Sequence, residues 1–129
     1  MRTVIAAFAA LAAASAFSPA SAGVGFQHLT IEDPGKAPVE VGIWYPTDAK
    51  PSDQRIELGL QPVAPDAPVA GQRLPLILIS HGHGGSDAGH VDTAIALANA
   101  GYVVAALTHT GDNWRDASQA TALWSGRGS

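Results

Sequence analysis

The sequence predicts an α/β fold in which an antiparallel N-terminal hairpin leads into a βαβ unit of a mostly parallel sheet. Three observations predict it. "VGFQHLTI" (Val24–Ile31) and "VEVGIWYP" (Val39–Pro46) alternate apolar and polar residues on either side of the turn-forming "EDPGKAP". "LPLILIS" (Leu74–Ser80) and "YVVAAL" (Tyr102–Leu107) are continuous apolar runs rich in branched residues, as in strands covered on both faces. Between these runs Val91, Ala94, Ile95 and Ala98 fall at i, i+3, i+4 and i+7, a helical stripe that Gly101 can end as C′.

Taken in order, the chain begins as a signal peptide does. Arg2 supplies the positive start, Val4 to Phe17 the apolar stretch, and Ala20-Ser21-Ala22 a small-residue cleavage site. The stretch is shorter than the roughly 18 to 20 apolar residues that cross a bilayer, and Ser18-Pro19 ends it, so no stable membrane anchor is expected. Residues 1–22 are therefore expected to leave on export to the periplasm or the medium. Residues 23–129 are then expected to be part of one α/β domain. Loss of Arg2 with retention of all 11 acidic residues moves the formal charge from −4 to −5. With no basic run and no interleaving of basic and aromatic residues, nucleic acid is not an expected partner. The absence of cysteine excludes disulfides and thiolate metal sites, and no cofactor is expected.

After the hairpin, Thr47 to Arg73 holds Pro51, Pro62, Pro65 and Pro68 and reads as a long loop, in which "RIELGL" offers one weak strand. The strand, glycine-rich turn, helix and strand from Leu74 to Leu107 then form a βαβ unit with its helix on one side of the sheet. Strands apolar on both faces need helices on the other side too, so the chain is expected to be the N-terminal portion of a longer protein. "THTGDNWRDASQATALW" reads as a loop and a short helix from Ser118.

The chemistry concentrates in "SHGHGGSDAGH" (Ser80–His90). His81, His83, Asp87 and His90 invite comparison with zinc hydrolases of the metallo-β-lactamase type. Those follow the second histidine, after one residue, with adjacent Asp and His, whereas here the acid comes two residues late and without a neighbouring His. The other reading places the chemistry in the backbone. Gly82, Gly84 and Gly85 allow positive φ and close approach, so peptide N–H groups after a central strand can face a developing oxyanion. A third reading has the glycines merely turning the chain into its helix. Ser86 and Asp87 are expected to cap that helix. His28 and His90 are expected to have no role, and Trp44, Trp114 and Trp124 to be packing residues.

"VGIWYP", "LPLILISHGHGGS" and "LANAGYVVAALTHTGDN", in that order, resemble α/β-hydrolases of the dienelactone hydrolase type, particularly the exported branch similar to platelet-activating-factor acetylhydrolase. The resemblance implies the N-terminal part of an α/β-hydrolase fold, incomplete in this chain, and a Ser-His-Asp hydrolase of small-molecule esters or lactones. It implies one oxyanion N–H from His83 in the loop His81, Gly82, Gly84 and Gly85, with His81 structural and His109 and Thr110 bordering the cleft. The family has Asp-His-Pro-Gly where this chain has Thr-His-Thr-Gly. No Gly-x-Ser-x-Gly occurs, Ser86 and Ser125 lying in other contexts, so nucleophile, acid and base are expected beyond Ser129. The rival expectations are a non-catalytic exported binding module and a zinc hydrolase using His81, His83 and His90.

Overall fold

The computed structural model describes residues 22–120. The leader expected at the N-terminus, the helix expected from Ser118, Trp124 and Ser125 lie wholly or mostly outside them. The elements are β1 (Gly23–Ile31), β2 (Val39–Thr47), β3 (Ser52–Ile56), β4 (Gly59–Pro65), β5 (Leu76–Ser80), α1 (Val91–Asn99) and β6 (Val103–Thr108). Among the described residues the strands form one sheet in the order β3-β4-β1-β2-β6-β5. It is mixed: β5 runs parallel to β6 and β4 briefly parallel to β1, while the remaining neighbours are antiparallel.

The predicted hairpin is present, with Gly23 opposite Thr47 at one end and Ile31 opposite Val39 at the other. Its turn closes through Lys36 N–H to Asp33 C=O at 2.9 Å. Helix α1 occupies the predicted span and ends in a Schellman motif. Gly101, at φ +99°, donates to Ala98 C=O, and Tyr102 N–H reaches back to Leu97 C=O.

The stretch between β2 and β5 corrects the sequence reading of a long loop. It contains the β3–β4 hairpin, whose two-residue turn, Glu57-Leu58, sits in the middle of the expected weak strand Arg55–Leu60. Such turns usually announce themselves with Asn-Gly or Asp-Gly. Here Glu57 takes the positive φ, 49°, and so the signal was missing.

The core lies between the sheet and α1. Ala94 and Ala98 pack with Val24, Trp44, Val63, Val104 and Ala106, and their small side chains let the helix approach closely. Trp44 is fully buried, its ring 4.9 Å from that of Phe26 and its Nε1–H donating to Gln61 Oε1 at 3.3 Å. Gly42 leaves space for this arrangement. A Cβ there would stand 2.7 Å from the Trp44 ring and 3.0 Å from Asp87 Oδ2. Gly42→Ala is expected to destabilise the fold by about 1–3 kcal/mol through overpacking, read as a lower denaturation midpoint; an unchanged midpoint would contradict the close approach.

The opposite face is the one expected to need helices beyond the single one predicted, and it is bare among the described residues. Leu78 aligns with Ala105 and Ile43, and Leu29 with Val41 and Leu107, yet Leu76 and Leu78 are 60% and 67% exposed. The reason is that α1, the one helix among the described residues, covers a single face.

Candidate functional site

The carboxyl ends of β5 and β6 bring the two histidine-bearing loops together, as parallel neighbouring strands must. His81 is buried at the end of β5. Its Nε2 accepts the His109 N–H at 2.9 Å, so its Nδ1 carries the proton, which faces Gly82 C=O at 2.6 Å. Both ring nitrogens are thereby engaged. The His109 ring meets His81 edge-on at 4.3 Å, and its Nε2 lies 2.8 Å from Ser80 Oγ.

The glycine loop is held from outside. Gly84, at φ +69°, donates its N–H to Asp112 Oδ1 at 3.0 Å, and Gly85 N–H reaches Gly82 C=O at 3.2 Å. Trp114 N–H donates to Gly85 C=O at 3.2 Å. His83 N–H has no acceptor among the described residues, while its Nδ1 sits 2.8 Å from the same Asp112 oxygen. The Gly84 N–H, and after it the His83 ring, hold the Asp112 carboxyl below its ordinary value of 3.8 against the opposing effect of desolvation.

Several expected roles are corrected. Ser86 and Asp87 do not cap α1: its N-cap residue is His90, with no side-chain cap bond. Ser86 Oγ–H instead donates to Glu57 Oε2 at 3.0 Å. Asp87, 5% exposed, receives the Thr108 hydroxyl on Oδ1 at 3.0 Å and returns its own N–H to Thr108 Oγ1 at 2.9 Å. Its Oδ2 faces His28 Nε2 at 3.2 Å, so His28 joins the site's polar network rather than standing idle on β1. A buried carboxylate needs such partners more than a helix N-terminus needs a cap. Trp114 is 54% exposed and is not a packing residue. It lines a cavity of about 410 Å³ with Phe26, His28 and Arg55.

Thr110 borders a second cavity, of about 400 Å³, with Thr108, Gly111 and Asn113. His109 is turned away from it, toward Ser80. His81, His83 and His90 are not brought together: among the described residues no three His, Cys, Asp or Glu side chains form a possible metal set. Asp112 and the His28–Asp87 pair were missed in the sequence because their partners lie far away along the chain.

At 23% identity the fold is similar to that of a ferulic acid esterase from Streptomyces cinnamoneus, with a TM-score of 0.58 over 78% of this chain. The chain spans 36% of that esterase's length. No curated protein matches it. The family model for platelet-activating factor acetylhydrolase, isoform II, matches residues 60–125, more than half of the 129. That interval takes in β5, the glycine loop, α1, β6 and the loop that carries Asp112. The same stretch supplies the network just described apart from His28 and Glu57, and by this match the chain belongs to the platelet-activating factor acetylhydrolase, isoform II, family.

Proposed function

We propose that the chain is part of an exported serine hydrolase of carboxylic esters or lactones, whose oxyanion is received in part by the His83 N–H. The observation that carries this reading is the pattern of hydrogen bonds in the loop. The Gly84 and Gly85 N–H groups are spent on Asp112 and Gly82, while the N–H between Gly82 and Gly84 has no acceptor among the described residues. It stands at the carboxyl end of a parallel strand, the edge at which open α/β sheets bind their ligands. Family membership and the esterase that shares the fold support the same class. The apolar start of the chain supports export.

In this reading His81 and His109 are framework, and nucleophile, acid and base lie outside the described residues. The Ser80–His109 contact does not complete a triad, since among the described residues no carboxylate touches the His109 ring. The test is to treat the protein expressed from its complete gene with a fluorophosphonate and map the adduct. The expected result is a single labelled serine outside residues 22–120. Labelling at Ser80 or Ser86, or ester turnover that the reagent leaves untouched, would sink the proposal.

A further inference from the structure

We propose that Asp112 is the positioning residue of the oxyanion loop: by accepting the Gly84 N–H and the His83 Nδ1–H on one oxygen, it fixes the peptide that follows His83 together with the His83 ring, and so holds in place the residue whose own N–H receives the oxyanion. The inference rests on the esterase reading and adds to it a residue outside the loop.

A loop of His83 set among Gly82, Gly84 and Gly85 has one backbone bond of its own among the described residues, from Gly85 N–H to Gly82 C=O. Each glycine opens backbone conformations closed to other residues, and a donor that must wait in place for a transient charge is effective only if it is already ordered. The ordering comes from the neighbouring loop, which grips the glycine segment at two successive residues. Asp112 Oδ1 accepts the Gly84 N–H at 3.0 Å, and Trp114 N–H donates to the Gly85 carbonyl at 3.2 Å.

The gripping loop is itself braced. Asn113 Nδ2 donates to His109 C=O at 2.8 Å, while its Oδ1 accepts the N–H groups of Arg115 and Asp116 at 2.9 and 3.0 Å. Arg115 pairs with Glu40 of β2 and so fastens the loop to the sheet. Orientation therefore passes from β2 through Arg115 and Asp112 to the Gly84 peptide.

A carboxylate beside a developing oxyanion would repel it. The His83 ring lies on the same carboxylate oxygen at 2.8 Å and, when protonated, offsets the charge. Asp112 thus offers the loop a fixed acceptor. Its lowered pKa fits the role. A carboxyl depressed in the folded state contributes its hold above the ordinary value of 3.8 and loses it only as the pH falls through the lowered one.

The test uses the protein from its complete gene, with Asp112→Ala, Asp112→Asn and wild type compared by p-nitrophenyl ester kinetics and by amide hydrogen exchange at Gly84. Asn keeps an acceptor oxygen and removes the charge. In Asp112→Ala, kcat is expected to fall by about 10- to 100-fold with KM nearly unchanged. Gly84 exchange is expected to quicken by about tenfold or more. Asp112→Asn is expected to recover most of both, and a merely structural role would not produce this split with rescue. An Asp112→Ala protein with wild-type kcat, or with Gly84 as protected as in wild type, overturns the inference. If the wild type hydrolyses no ester and takes up no fluorophosphonate while Gly84 still depends on Asp112, the esterase reading fails and the hold on the loop stands.

Discussion

Trp44→Ala is expected to lower the stability of this fold by about 3–5 kcal/mol, the range for removing a large aromatic side chain from a core. Trp44 is fully buried and stands where β1, β2, β6 and α1 meet, in contact with the cluster of Val24, Val63, Ala94, Ala98, Val104 and Ala106. Two losses add. The cavity forfeits the contacts of the indole, and Gln61, itself 4% exposed, loses the donor on its Oε1. Trp44→Phe separates the two, since it restores much of the volume without the N–H. Denaturant unfolding should show a large fall in midpoint for Trp44→Ala and a smaller one for Trp44→Phe. A loss below about 1 kcal/mol for Trp44→Ala would mean that the helix does not seal this face as described.

Replacing the His83 peptide N–H by an ester oxygen, with the side chain kept, is expected to reduce kcat by about 10²–10³-fold, the cost of one oxyanion donor. His83→Ala keeps the N–H and loses only the ring that shares the Asp112 oxygen. Its kcat is expected to stay within about tenfold of wild type. The contrast separates a backbone role from a side-chain role at one position. Equal losses for the two changes would assign the chemistry to the imidazole and overturn the oxyanion reading of His83. Both measurements belong on the protein expressed from its complete gene, with ester substrate below and above KM.

Read alone, the sequence determined the parts whose physics is local. The β1–β2 hairpin follows from alternation on either side of a Pro-Gly turn, α1 from its four-residue stripe and Gly101, and β5 and β6 from their unbroken apolar runs. It also singled out the loop His81–Gly85, because three glycines after a buried strand are a local signal. The β3–β4 hairpin escaped it, since prolines at 62 and 65 disguise the second strand and Glu57 occupies a turn position that glycine or asparagine usually marks. The tertiary structure alone decided that Asp87 faces Thr108 and His28 rather than the helix end, and that Asp112 lies on Gly84 and His83. Those partners are 21 to 59 residues apart along the chain. They meet because β2 separates β1 from β6 and because β5 runs beside β6, a strand order and register set by burying Trp44, Val104 and Ala106 under α1. A polar side chain takes whichever partner that packing delivers, and no local pattern encodes the delivery.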